Sequence, residues 1–412
     1  MIYQKPKGTR DLFGFELERL ETVNSIARRF FKKSGYQELK IPTFEFAELF
    51  SRSIGETTDI VEKEMYAFEI DKRVYVLIPE GTASVWRAFI ENKLSLPARF
   101  LYIGSMFRKE RPQKGRYREF EQIGIELLGE SQPFYDAEII EQAKRFLEII
   151  GAYDFFIEIN SIGCPKCRSA YKNILKSYLK PHMNTICTDC QRRFGKNFLR
   201  IFDCKEETCQ KIYDRAPMIT DHLCLECREH YAHVKKYLGI FKVDSKENKK
   251  LVRGLDYYTR TVFEFKQKGL GAQDTIIAGG RYDLLMKELG GSDIPCLGWA
   301  MGPERMLLAL PQDVPQLEDR TSIYIAVIGE RYVETMLKVR DTLVKNDFIC
   351  VMAAPEDSIK DQLRQANRLK VDYVILYGED EAEKGMYAIK DMKTGEQHSI
   401  VPDQLLQFLK KS

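Results

Sequence analysis

Residues 107–126, FRKERPQKGRYREFEQIGIE, set six cationic side chains (Arg108, Lys109, Arg111, Lys114, Arg116 and Arg118) around a turn-forming Pro112 and Gly115. The flanks are apolar, LYIGSMF before and FEQIGIELL after, and they alternate or run on as buried strands do. The stretch therefore reads as a strand, a cationic loop and a returning strand whose charges face one cleft, an arrangement that holds polyanions. A solvated hairpin tip would have the same composition, because charge runs are usually surface. A second segment has to decide between them.

That segment is residues 253–265, RGLDYYTRTVFEF, followed by AGGRYD at 278–283 and GWAMGPER at 298–305. In order and spacing, these and the cationic loop resemble the motifs of the histidyl-tRNA synthetases, a family of class II aminoacyl-tRNA synthetases. RGLDYY is the element that sets this family apart from other class II enzymes. The resemblance runs from GTRD at 8–11, through a stretch from Gly35 to Pro42 similar to the dimer-forming first class II motif, to the C-terminal domain. It implies an α+β fold: a class II antiparallel-sheet catalytic core with helices, a cysteine-rich insertion and a C-terminal α/β anticodon-binding domain.

Composition agrees with this. A chain of 412 residues is too long for one ordinary domain, and 44% hydrophobic with 30% charged residues is a soluble globular balance. The net charge of +3 is small, so any nucleic-acid contact rests on local basic patches. The opening MIYQKPKGTRD has no apolar signal core, and no run approaches the roughly 18 apolar residues of a spanning helix. A cytoplasmic protein with no membrane partner is expected.

Along the chain, Leu17, Leu20, Val23, Ala27 and Phe30 keep a helical period over 15–34, and Gly35 follows as a C-terminal cap. A helix ending near Ser53, a strand pair over 65–78 and a helix after the PEGT of 79–82 come next. Strands at 261–266 and 275–280 extend the sheet, and 302–310 reads as a helix behind it. The proline-rich, acidic 311–319, PQDVPQLED, is a linker. Beyond it, strands at 323–328, 348–353 and 373–377 alternate with helices at 330–345 and 357–370, the rhythm of a βαβ sheet, closed by strands at 386–391 and 397–401 and a last helix. The expected division is 1–163 for the first part of the core with motifs 1 and 2, and 164–247 for the insertion. The second part of the core, with the histidine motifs and motif 3, takes 248–310, a linker 311–321, and the anticodon-binding domain 322–412.

Eight of the ten cysteines fall in the insertion. Cys164 and Cys167, Cys187 and Cys190, and Cys224 and Cys227 are each separated by two residues, and Cys204 and Cys209 by four. Such pairs are metal knuckles, two of which close a tetrahedral zinc site with sulfurs about 2.3 Å from the ion. Disulfides are the bland alternative, disfavoured in a reducing compartment. Iron in a four-thiolate site or an iron–sulfur cluster is another. The simplest grouping is sequential, Cys164, Cys167, Cys187 and Cys190 around one ion and Cys204, Cys209, Cys224 and Cys227 around the other, with an interleaved arrangement left open. His182, His222, His230 and His233 are then unnecessary as ligands and are expected on the surface. Cys296 and Cys350 stand alone in apolar strands and read as core.

With four histidines in the insertion and His398 near the C-terminus, no Ser-His or Cys-His nucleophilic pair can be built in the core. Attack of an amino-acid carboxylate on the α-phosphate of ATP needs no such base, and arginines can hold the charge that builds on phosphoryl oxygens. The resemblance implies roles. Arg108 would hold the α-phosphate and substrate carboxylate, Glu110 would lie near the adenine with Phe120 stacked on it, and Arg116 and Arg305 would bind the outer phosphates. Arg253 would approach the α-phosphate from the other side, doing part of the work of an additional magnesium ion. Glu126, Tyr258 and Tyr257 would read the imidazole, with Tyr282 and Gly81 in the same pocket, while Glu80, Thr82 and Gln122 would hold the α-amino group. Gln113 would meet the tRNA acceptor end. The implied substrates and partners are L-histidine, ATP with Mg2+, histidine tRNA and a second copy of the chain. The family commonly has arginine where Ile78 precedes PEGT, and phenylalanine where Trp299 stands. The rival reading is a catalytically silent histidine- or tRNA-sensing relative, which tends to lose the arginines kept here at 108, 253 and 305.

Overall fold

The structure is a computed structural model that describes residues 3–54, 58, 60–113, 115–267, 274–310, 321–352 and 358–411. Lys114, the linker 311–319 and position 353 of the expected strand therefore lie outside the described residues. At the centre is an eight-stranded sheet. Across it run Gln37–Glu38, Ala98–Phe107, Glu119–Leu128, Cys296–Met301, Thr275–Arg281, Thr259–Gln267, Phe155–Ser161 and Lys246–Glu247. The six inner strands are antiparallel to their neighbours, and the two short outer ones parallel.

The pleat of Glu119–Leu128 separates the two jobs of this sheet. Ile123, Ile125 and Leu127 point to one face, where they join a core shared with the helices Phe15–Lys33 and Pro133–Ile149. Gln122, Gly124 and Glu126 point to the other, and so do Phe100 and Tyr102 of the partner strand, paired with Glu126 and Gly124. The cationic loop is the turn between these two strands, as its flanks predict.

The helix Phe15–Lys33 stops where expected. Gly35, at φ 89°, donates its N–H to the Lys32 carbonyl at 3.1 Å, and Tyr36 donates to the Phe31 carbonyl at 2.8 Å, so two otherwise orphaned carbonyls are satisfied. The expected helix over 302–310 is shorter, Pro303–Leu307. Pro303 pre-sets the first turn, and only one turn and a half forms.

The helix Pro133–Ile149 is buried nearly all round and carries three acids inside. Asp136 pairs with Arg281 at 2.5 Å, Glu138 with Arg99 at 3.0 Å and Glu141 with Arg340 at 2.7 Å, each side chain 6% exposed or less. Burial opposes the charge on Asp136, yet Arg281 and His230 hold its carboxyl well below the ordinary range. His230 overturns the expectation of an exposed histidine. It sits on the helix Leu225–Ile240, which packs Tyr231, Val234, Tyr237 and Leu238 into the same core, and its Nε2 lies 3.3 Å from Asp136. His182 and His222 are half-buried against Tyr178 and Tyr171, and His233 alone of the four is exposed. Cys296 and Cys350 are core, as read.

Beyond residue 321 a second sheet runs Ile349–Met352, Ser322–Val327, Tyr373–Tyr377, Tyr387–Asp391 and Gln397–Ile400. Its first three strands are parallel and the last two antiparallel. The helix Val333–Lys345 carries Arg340 to Glu141 and Asp341 to Lys242 at 2.9 Å, docking this unit on the core. A small third sheet, Phe44–Phe46, Arg73–Leu77 and Tyr66–Ile70, stands at the side.

Glu121 supplies a test of this packing. Burial, opposed by Asn24 and reinforced by the Glu304 carboxylate, pushes its carboxyl up to about 7. Its folded pKa lies above the unfolded value, so the stability it contributes is present below about pH 4.5 and is lost as pH rises through about 7. Glu121→Gln should match the parent below about pH 4.5 and exceed it by roughly 3 kcal/mol above pH 7, at about 1.4 kcal/mol per unit over about 2.5 units. Urea unfolding at the two pH values reads the difference directly.

Candidate active site

On the open face of the sheet lies a cavity of about 340 Å³, walled by the cationic loop, the start of the helix Thr82–Glu91, the 253–258 segment and the strand Cys296–Met301. Its lining brings together Glu80, Thr82, Arg108, Glu110, Arg116, Phe120, Gln122, Arg253, Tyr257, Tyr258, Tyr282 and Arg305. These come from five separated stretches of sequence. Glu126 and Gly81 are behind the wall, and Gln113 is outside it.

One end is acidic and aromatic. Glu80 precedes the helix Thr82–Glu91 and accepts the N–H groups of Thr82 at 2.8 Å and Ala83 at 3.0 Å, as an anion at a helix N-terminus does. Burial nevertheless raises its pKa. Glu126, 1% exposed, accepts the Thr82 hydroxyl at 2.8 Å and the Tyr282 hydroxyl on its other oxygen. Burial, with the Glu80 charge nearby, pushes its carboxyl well above the ordinary range in spite of the Thr82 bond. Two buried carboxyls so close together favour a cationic ligand between them. The rings of Tyr257, Tyr258 and Tyr282 meet at centroid distances of 4.9, 5.4 and 6.1 Å and form the apolar sides.

The sheet makes room for Glu126 through Gly298, its direct partner across the strand pair. A Cβ at Gly298 would stand 2.3 Å from a Glu126 carboxyl oxygen and 2.7 Å from the Tyr282 hydroxyl.

The other end is cationic. Arg108 donates Nε to the Pro79 carbonyl at 2.9 Å and lies 5.2 Å over the Phe120 ring. Arg116 pairs with Glu110, which is also 3.9 Å from Arg108. Arg305 donates to the Thr275 carbonyl at 2.8 Å, and burial together with Arg116 and Arg108 lowers its pKa. Arg253 pairs with Glu264, and its buried Nε has no partner among the described residues. Four guanidiniums around one cavity repel each other and attract a polyanion. Glu264 was missed from sequence, although a lone acid inside the apolar strand VFEF is a signal that some cation must meet it. Tyr102, behind Gln122 at 3.5 Å, was missed as well.

Ile78 is buried in the apolar cluster under this end, and its backbone bonds Thr43 and Phe107 at 3.0 and 2.8 Å. Trp299 packs its indole against Phe31 and Phe146 on the far face. Gln113 is at the exposed tip of the loop, beside Lys109, Arg111 and Lys63 around a second, shallower cleft.

All ten cysteine thiols are free, and the eight of the insertion form two groups, within each of which the sulfurs lie no more than 4.8 Å apart. The grouping is Cys164, Cys167, Cys224 and Cys227 in one and Cys187, Cys190, Cys204 and Cys209 in the other. This corrects the sequential expectation. The helices Pro165–Leu179 and Leu225–Ile240 begin side by side where the chain leaves and rejoins the core, so the outermost knuckles meet and enclose the inner two. Backbone N–H groups point at sulfur, from Cys224 to Cys167 at 3.1 Å and from Cys187 to Cys209 at 3.2 Å.

Residues 8–166 and 207–306 match the histidyl-tRNA synthetase family, and residues 322–412 match the anticodon binding domain. The chain belongs to the histidyl-tRNA synthetase family. Curated relatives named histidine–tRNA ligase include one from Halothermothrix orenii, 44% identical with 100% of each chain covered. Another, from Aquifex aeolicus, is 44% identical with 98% of this chain and 100% of that one covered. The crystal structure of apo S. aureus histidyl-tRNA synthetase superposes with a TM-score of 0.63 at 30% identity, covering 99% of this chain and 100% of that one. Of the inner cysteine group, Cys187, Cys190 and Cys204 fall between the two matched blocks and Cys209 within the second.

The close approach at Gly298 is testable. Gly298→Ala should cost roughly 1 to 3 kcal/mol, because backbone and carboxylate must both shift. Gly254→Ala, where a Cβ meets open space, should stay within about 0.5 kcal/mol of the parent. Denaturant unfolding of the two variants compares them.

Proposed function

We propose that the chain is a histidine–tRNA ligase: it activates L-histidine with ATP and transfers it to the 3′ end of its tRNA. The observation that carries this is the single cavity with two buried carboxyls at one end and four arginines at the other. In the first step a histidine carboxylate oxygen bonds the α-phosphorus, the bond to the β-phosphate oxygen breaks, and pyrophosphate leaves. ATP enters as its magnesium complex. In the second, a ribose hydroxyl of the tRNA attacks the histidyl carbonyl and AMP leaves.

Arg108 and Arg253 hold the α-phosphate from opposite sides, Arg108 also meeting the substrate carboxylate. Arg116 and Arg305 bind the outer phosphates, with Glu110 and Phe120 against the adenine. Arg253 suits a share of the developing charge, since a buried guanidinium with an unused N–H has a donor to spare. Glu80, Thr82 and Gln122 hold the α-amino group. Glu126 acts on the imidazole through the wall. By accepting a hydrogen bond from the Tyr282 hydroxyl it turns that oxygen's lone pairs toward the cavity, where they accept the ring N–H beside Tyr257 and Tyr258. A site built on such bonds rejects apolar analogues by about 10⁴ to 10⁵ without editing. A sensing relative would have no use for four arginines on one cavity.

The unit 322–412 reads the anticodon, while Gln113 and the loop cations engage the acceptor end. A homodimer is supported by the small third sheet, which exposes Phe44, Phe46, Phe68 and Ile70 as one apolar face just beyond Pro42. No helix among the described residues is long and apolar enough to cross a membrane. Ten free thiols fit a cytoplasmic location.

The two thiol groups suit zinc. Sulfur separations of 3.6 Å between Cys164 and Cys167 and 3.8 Å between Cys187 and Cys204 match the edge of a tetrahedron. With sulfur at about 2.3 Å from the ion that edge is about 3.8 Å. Bound zinc would contribute folding energy to the insertion.

Histidine-dependent pyrophosphate exchange tests the activity. Arg253→Ala and Arg253→Lys should each lose about 10²- to 10³-fold in rate, and near-normal exchange by both would remove Arg253 from its role. Glu126→Gln should weaken histidine binding more than ATP binding. Elemental analysis of untagged protein should find about two zinc ions per chain, four thiolates to each. Iron with visible absorbance, or no metal, would reject zinc.

A further inference from the structure

The outer thiol group does more than fold the insertion, because both of its knuckles grip the same short stretch of the active-site wall. One residue beyond Cys167, Arg168 donates its guanidinium to the Tyr258 carbonyl. One residue before Cys227, Glu226 pairs with Arg260. The backbone that leads into Cys164 is stitched to the same place, Ile162 donating to the Arg260 carbonyl at 2.8 Å and Arg260 donating to the Gly163 carbonyl at 3.0 Å. These bonds hold Arg260 at φ 50°, in the left-handed region that a non-glycine residue seldom occupies. The residue two before it is Tyr258, on the cavity wall.

We propose that the Cys164, Cys167, Cys224 and Cys227 centre is a positioning device for histidine recognition, metal loading there setting the placement of Tyr257 and Tyr258 through Arg168 and Arg260. The inference rests on the reading of these thiols as metal ligands and goes beyond it to what the loaded centre controls. Four thiolates around a divalent cation keep a net double negative charge. Arg168, half-buried and with its Nε buried and unpartnered among the described residues, stands one residue from Cys167, and Arg260 stands beside Glu226 on the opposite knuckle. Loading would fix the two knuckles against each other, and with them Arg168, Glu226 and the backbone of residues 258–260 that they hold. Asp256, two residues upstream, is held by Asn197 at the edge of the inner group, so the segment is restrained from both sides.

The test uses the full chain and Arg168→Met, with Arg168→Lys as the conservative control. Arg168→Met should keep the parent's metal content and circular dichroism while its KM for histidine rises about tenfold, within the usual range of coupling between sites. Its KM for ATP and its kcat should stay within about twofold of the parent, and Arg168→Lys should recover part of the histidine affinity. Stripping the parent with a chelator should raise KM for histidine by a similar factor, and stripping Arg168→Met should add little. Unchanged histidine KM in Arg168→Met, or equal losses for histidine and ATP, would overturn the proposal. Elemental analysis made beforehand separates the premises: a parent without metal overturns the centre itself, whereas a loaded parent whose histidine KM ignores stripping overturns only the coupling.

Discussion

Three carboxylates inside one helix constrain the rest of this molecule. Asp136, Glu138 and Glu141 lie on Pro133–Ile149 with almost no solvent contact, and each is met by an arginine from a different part of the chain. Arg99 comes from the first half of the catalytic sheet, Arg281 from the second half, and Arg340 from the C-terminal unit. An unpaired charge at such depth costs several kcal/mol, so the helix reaches its buried position only when all three arms have arrived. The sheet is thereby closed around the insertion, and the C-terminal unit is registered against the core that it serves. His230 adds a fourth arm, from the far end of the insertion, to the same Asp136.

On that frame the site follows from strand periodicity. One strand, Glu119–Leu128, gives its odd positions to the core and its even positions to the cavity side, so the polar Gln122 and Glu126 face that side with Gly124 between them. The acids they join repel each other, and the arginines at the opposite end do the same. Such a cavity is poorly satisfied by itself and favours a ligand with a positive head and a negative tail, which histidine and ATP together provide.

Much of this was legible in residues alone, for a physical reason: the signals were local. The helix ending at Gly35, the strand flanks of the cationic loop and the alternating rhythm after residue 321 each depend on neighbours within a turn or a pleat. What escaped depends on contacts between distant segments. Spacing within a knuckle shows that two thiols share an ion, but which knuckles meet is set by where two helices begin in space. His230 looked like a surface residue because its partner Asp136 is far away in sequence. Glu126 is recognisable as a ligand-site acid, yet its place behind Thr82 and Tyr282 becomes visible only once three strands are assembled.

The nested arrangement of the thiols has a consequence for how such a chain can change. Because Cys164 and Cys227 end up in one cluster, the points where the insertion departs and returns are adjacent, and the segment between them closes a loop whose far part also meets the catalytic wall, where Asn197 holds Asp256. The entropy of closing a loop grows only with the logarithm of its length. A segment tethered this way can lengthen, shorten or be exchanged with little effect on the sheet, provided its base stays clasped. The inner cysteine group lies on that segment, and its contact at Asp256 is the part of such an exchange that the catalytic wall would register.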